Sequence, residues 1–230
     1  LAGNTVVVAQ PGAAFTGFLG GAPDVEVAPV RIAKSVVHLW TSAMAAAIEH
    51  VAIGGPGGGR LADVISLSMG GIASQAWAEA VNKAYEAGVC IVAAAGNNFS
   101  TGAGGFPTRL IVYPARFRRV IAACGVMADR RPYFGLPMGT MQGCWGPDSK
   151  MATAMAAFTP NMPWAERGAP TIIDRDGAGT SSATPQIAAA AALWLTEHRA
   201  ALAQFTEPWQ RVEAVRHALF SSAERTADGG

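Results

Sequence analysis

The sequence predicts an α/β sandwich built on a mostly parallel sheet, and three observations carry that prediction. Short β-like runs alternate with helical ones along much of the chain. One run, residues 89–95, holds no charged residue, as in a strand covered on both faces. An alanine-rich stretch, residues 182–203, is apolar nearly all round until Glu197, so its first half belongs inside. Strand–helix–strand rhythm implies parallel strands joined by right-handed crossovers. In such sheets function collects in loops after the carboxyl ends of strands.

Residues 25–32 read as a strand, with Val25, Val27, Val30 and Ile32 apolar and Pro29 marking it as imperfect or as an edge. Residues 42–52 place Met44, Ala47, Ile48 and Val51 at helical spacing. Residues 54–59 form a Gly/Pro loop. It lacks a strand before it and Lys-Ser/Thr after it, so it is a surface connection and not a phosphate loop. A buried strand follows over 63–68. Residues 74–87 form a helix with Trp77, Val81, Ala84 and Tyr85 on one side and Gly88 as its stop. Residues 120–124 repeat the charge-free strand pattern. From 128 to 176 periodicity is lost, and the expectation is irregular chain with two short strands. In the helix over 182–203, Pro185 falls in the first turn, where its missing N–H costs nothing. A last helix, 207–223, sets charges opposite Val212, Val215, Leu219 and Phe220.

Composition narrows the class. Charged residues are 14% of the chain against roughly 25% in an ordinary soluble domain, so much of it lies inside. Hydrophobic residues make up 50%, which with the low charge excludes a disordered chain or a coiled coil, and 27 Gly and 14 Pro make the chain loop-rich. A net charge of +1 without a Lys/Arg cluster offers no phosphate-tracking surface, so no nucleic-acid partner is expected. The longest strongly apolar stretch, 187–195, is about half of the ~20 residues a bilayer span needs, so no membrane partner is expected either. Cys90, Cys124 and Cys144 cannot all pair within the chain and lack zinc spacing; they read as small buried thiols, with a disulfide or reactive thiol as the alternative. No metal site and no cofactor are expected. Neither a targeting signal nor any other feature fixes the compartment.

Two strings carry chemistry. Gly179-Thr180-Ser181-Ser182-Ala183-Thr184-Pro185 runs straight into the buried helix. A serine at a helix mouth is ordinarily a cap. Here the glycine permits close backbone approach, and the helix N-terminus offers N–H groups and a positive dipole end to an oxyanion. A nucleophile needs that setting. The second string ends the charge-free strand in Ala94-Ala95-Gly96-Asn97. Asn97 is either a turn residue or an amide that donates to an oxyanion.

Together with Asp63-Val64-Ile65-Ser66-Leu67-Ser68-Met69-Gly70-Gly71, and with Tyr113-Pro114-Ala115 before Val120-Ile121-Ala122-Ala123, these strings resemble the subtilisin-like serine peptidases in order and approximate spacing. The resemblance runs from about Val25 to Leu195. It implies a three-layer subtilisin-like sandwich and a serine endopeptidase acting on peptide or protein substrates. Ser181 falls on the nucleophile, Ser182 on a variable position, and Asn97 on the oxyanion amide, partnered by the Ser181 N–H. Ser68, Met69, Gly70 and Gly71 fall on the strand that pairs with substrate. Ala94, Ala95 and Gly96 fall on the opposite wall of the primary specificity pocket. The related sedolisins carry Asp where Asn97 stands. No Gly-x-Ser-x-Gly elbow surrounds Ser181, which disfavours an α/β-hydrolase esterase.

The departure is as specific. The family takes an Asp from an early strand and a His from a His-Gly-Thr helix, and neither motif precedes residue 25 here. Leu1-Ala2-Gly3 looks like the tail of that helix, so residues 1–230 are expected to be a single peptidase-type domain truncated at its N-terminus, inactive alone. A non-catalytic peptide-binding module is the alternative. His198 lies seventeen residues after Ser181 on one helix, roughly 25 Å away, and is excluded as base. His217 and His50 read as surface and boundary residues. His38 follows the 25–32 run on the side where sites assemble; a loop or substrate-binding role is its ordinary reading and a base the exceptional one, as is Lys34 in a Ser–Lys pair. Asp63 opens its strand at the wrong end for catalysis and is structural. Asp174 and Asp176 read as a solvated turn, with a structural calcium ion as the lesser alternative.

Overall fold

A computed structural model describes residues 5–10, 13–18, 20–33, 41–99, 110–134, 141–166 and 168–225. A hairpin of β1 (Thr5–Gln10) and β2 (Ala13–Phe18) precedes helix α1 (Thr41–Ile53), strand β3 (Val64–Leu67), helix α2 (Gln75–Glu86) and strand β4 (Cys90–Ala94). Strands β5 (Asn97–Phe99), β6 (Val120–Val126) and β7 (Met141–Gly143) follow, then helix α3 (Asp148–Met151) and strand β8 (Ala154–Phe158). A second hairpin, β9 (Met162–Glu166) and β10 (Ala169–Gly177), leads into α4 (Thr180–Glu197), α5 (Arg199–Leu202) and α6 (Pro208–Ser222).

The central sheet runs β3-β4-β6-β8, all parallel. Its strands are short and uncharged because helices cover both faces. Ile91, Ala93, Val120 and Ala122 pack with Met44 and Ile48 of α1 and Trp77 and Val81 of α2. Cys90, Val92, Ile121 and Ala123 pack with Ile187 and Ala188 of α4 and Val212 and Val215 of α6. The period-two alternation of strand side chains thus divides the core into two halves, and the predicted three-layer sandwich is what forms. Helix α2 is set locally as well: Ser74 Oγ accepts from Trp77 N at 3.2 Å, and Gly88 (φ 80°) turns the chain into β4. All three cysteines are free and buried. Burial pushes the Cys90 and Cys124 thiols up to about 12 and that of Cys144 up to about 11.

Three expectations need correction. Residues 25–32 form no strand: Pro29 lacks a donor, Val27 and Val30 are exposed, and no ladder joins the segment to β3. A cavity of about 270 Å³ separates the two instead, with Met44 and Ile48 of α1 on one side and Ala188 and Ala192 of α4 on the other. The 128–176 stretch holds more order than two strands. β8 adds to the central sheet, and Asp174 and Asp176 lie in β10, where Asp176 Oδ1 accepts from Trp164 Nε1 at 2.8 Å. Helix α4 starts two residues early, at Thr180, so Pro185 stands in its second turn, where its missing N–H removes a helical bond.

Asp63 is structural, as expected: its Oδ1 takes Arg60 Nε at 2.9 Å and Arg211 Nη2 at 2.8 Å before β3 begins. Lys150, like Arg216, is a charged residue buried among the described residues. Its Nζ donates to the carbonyls of Phe117 (2.7 Å) and Val120 (2.8 Å), tying α3 to the entry of β6. Burial draws its ammonium down to about 7.

Candidate active site

The carboxyl ends of β3 and β4 and the N-terminus of α4 meet at one edge of the sheet. Beyond β4, Gly96 takes φ 104° and swings the chain so that β5 can pair antiparallel with β7, Asn97 opposite Gly143. Gly179 caps α4 at φ 78°, and a side chain there would collide with the Asn97 amide, its Cβ 2.9 Å from Nδ2. Glycine is required at 179 on both counts.

Thr180, the first residue of α4, is completely buried and binds the two ends of the site together. Its N–H donates to Asn97 Oδ1 at 2.9 Å. Its hydroxyl accepts from Gly96 N at 3.1 Å and stands 3.2 Å from both the Gly96 carbonyl and Asn97 Oδ1, either of which can take its proton. With Oδ1 engaged as an acceptor, Asn97 is left its Nδ2 end to donate. The next residue, Ser181, is exposed, and at the second helical position its N–H has no intrahelical acceptor. An amide donor, a helix N-terminus and an exposed hydroxyl therefore share one edge of the sheet. That set can hold developing negative charge on a carbonyl oxygen next to an alcohol.

The end of β3 completes the arrangement. Ser68 Oγ donates to the Ser181 carbonyl at 3.0 Å, and Ser181 Oγ lies 3.5 Å from the Ser68 carbonyl. Ser68 and Gly70 face solvent, whereas Met69 packs on the core. Gly71 differs from its predicted role. Its N–H donates to Tyr113 O (2.7 Å) and its carbonyl accepts from Tyr113 N (3.1 Å), so its backbone groups are already bonded. Ala94 and Ala95 are buried, and Ala95 N and O bond Ala123 O and Val112 N at 3.0 and 2.9 Å. Beside them, Val112 and Cys144 crowd Gly96, with a Cβ there 3.0 Å from Val112 Cγ2 and 3.5 Å from Cys144 Sγ.

Thr180, Val112 and Tyr113 were not singled out in the sequence as site residues. For Thr180 a signal existed, since it stands between Gly179 and Ser181. Tyr113 stands in the Tyr113-Pro114-Ala115 string, which gives it no site role, and Val112 carries no local mark, because their roles arise from contacts across the fold. His50 and His217 are exposed on α1 and α6. His198 ends α4, its ring 4.5 Å from that of Trp194. His38 and Lys34 lie outside the described residues. Among the described residues no group of three metal-ligating side chains occurs.

Known proteins resemble the chain along its length. The subtilase family model matches residues 2–230. Subtilisin DY of Bacillus licheniformis is 30% identical over 214 residues, which is 93% of this chain and 66% of that protein. Thermitase of Thermoactinomyces vulgaris is 31% identical over 189 residues, 81% of this chain and 57% of thermitase. Among solved structures, the prenylagaramide maturation protease PagA shares the fold at a TM-score of 0.65 and 22% identity, over 87% of this chain and 63% of PagA. The self-cleaved protease domain of PatA superposes at a TM-score of 0.58 with 26% identity, over 79% of this chain and 59% of that domain. The chain thus spans 57% to 66% of the length of these relatives.

Proposed function

Because this chain belongs to the subtilase family, we propose that it is the nucleophile- and oxyanion-bearing portion of a serine endopeptidase domain. Ser181 attacks a peptide carbonyl, and Asn97 Nδ2 with the Ser181 N–H holds the oxyanion. The substrate backbone lies along Ser68–Gly70, with Gly96 on the far side of the pocket. The observation that carries this reading is the bond from Thr180 N to Asn97 Oδ1, which seats an amide from the end of one strand beside the helix mouth 83 residues later.

The His and Asp of the triad come from polypeptide outside these residues. The gap beside β3 supports that view, since helices cover both of its faces and its lining, Glu26 and Ser66 apart, is apolar, as around a sheet strand. Without a base, residues 1–230 should turn over a chromogenic peptide several powers of ten more slowly than a protein with a full triad. Robust hydrolysis by residues 1–230 that disappears in Ser181→Ala would refute this. In a longer protein carrying the triad, a fluorophosphonate should label Ser181. If it does not, a peptide-binding module without catalysis is the better reading.

A further inference from the structure

Helix α4 lacks one backbone donor. In an α-helix the N–H of residue i+4 bonds the carbonyl of residue i. For Ser181 that residue is Pro185, which has no N–H. The carbonyl of the nucleophile's own residue therefore lacks its usual i+4 donor. The Ser68 hydroxyl, 113 residues away in sequence, donates to it at 3.0 Å. In the other direction, Ser181 Oγ stands 3.5 Å from the Ser68 carbonyl. Opposed contacts between the same two residues fix both separation and rotation, where a single contact leaves a hinge.

Resting on the peptidase reading above, we infer that Ser68 is a positioning residue: its hydroxyl stands in for the donor that Pro185 removes and ties the Ser181 backbone to the strand end that carries substrate. The nucleophile and the substrate strand then move as one body. A peptide paired along Ser68–Gly70 is brought into register with the Ser181 hydroxyl by the same residue that holds that hydroxyl's backbone. An unbroken helix would satisfy the carbonyl internally and leave β3 and α4 uncoupled at this point. Pro185 is what leaves that carbonyl open to a donor from another element.

The test is a cycle of Ser68→Ala, Pro185→Ala and the double variant in a longer protein that carries these residues together with a full triad. With Pro185 present, Ser68→Ala should lower the urea midpoint by about 0.3–1 M. In the Pro185→Ala background, where residue 185 regains an N–H, the same change should cost little, and Ser68→Thr should behave as wild type. An equal loss in both backgrounds overturns the inference. Position is read separately from the affinity of a peptidyl boronate, whose boron bonds Ser181 Oγ. Ser68→Ala should weaken it about 5- to 20-fold, with most of the affinity regained in the double variant. Unchanged affinity in Ser68→Ala also overturns the inference. If wild type takes up no boronate, the peptidase reading fails, and the urea cycle still decides whether Ser68 replaces the missing donor.

Discussion

The backbone N–H of Thr180 donates to Asn97 Oδ1 at 2.9 Å, so the orientation of one side-chain amide is set by the first peptide of a helix that starts 83 residues later. The same threonine's hydroxyl reaches Gly96. At this edge the end of strand β4 and the start of helix α4, which also pack together in the core, are hydrogen-bonded through one buried residue.

Thr180→Val keeps the volume and the N–H bond but removes the hydroxyl, leaving the Gly96 N–H without that partner. The expected loss is about 1–3 kcal/mol of stability, the cost of an unsatisfied buried group. In an active protein carrying these residues, kcat should fall while KM changes little, as steady-state kinetics beside a urea titration would reveal.

Asn97→Ala deletes the amide itself. Removal of one oxyanion donor typically lowers kcat by ~10²–10³, and peptide turnover by the active protein measures it. An effect below tenfold would remove Asn97 from the mechanism.

Gly179→Ala strains the backbone at φ 78° and presses a methyl group against Asn97 Nδ2 at 2.9 Å. The backbone term alone should cost about 1 kcal/mol or more. Activity should fall further than stability, because the displaced group is the donor. Thermal melts paired with kcat values separate the two effects.

Stability should pass through a maximum near neutral-to-alkaline pH. Burial lowers the Lys150 ammonium from 10.5 to about 7, so between these values the unfolded chain binds more protons and stability rises with pH. The three thiols work in the opposite sense. Their folded values of about 12, 12 and 11 lie above the ordinary 9.0, so from about 9 upward the unfolded chain binds fewer protons and stability is lost. Urea midpoints measured from pH 6 to 10 should rise from 7 towards 9 and then fall. Lys150→Met should flatten the rising limb and leave the falling one.

Sequence patterns predicted those parts of the fold that are buried on both sides. β4 and α4 announce themselves by the absence of charge, and the strings ending at Asn97 and opening at Ser181 stand where those elements end. β8 did not announce itself, because Ala-Met-Ala-Ala-Phe has no β-branched residue and becomes a strand through its pairing with β6. Residues 25–32 erred the other way: their apolar residues fit a strand, yet a strand also needs a ladder partner. The placement of Pro185 turned on two residues of helix, since starting α4 at Thr180 moves the proline from a harmless position to one that frees the Ser181 carbonyl. Contacts such as Thr180 with Asn97, or Tyr113 with Gly71, join distant segments and leave no periodic trace.

The outer side of β3 offers a row of amides and carbonyls with no ladder among the described residues, next to an apolar hollow. Such a border templates pairing between molecules. Purified alone, these 230 residues should therefore be poorly behaved in concentrated solution, forming heterogeneous aggregates that grow with protein concentration. A synthetic extended peptide rich in valine and isoleucine, added in excess, should compete for that border and keep the protein dispersed.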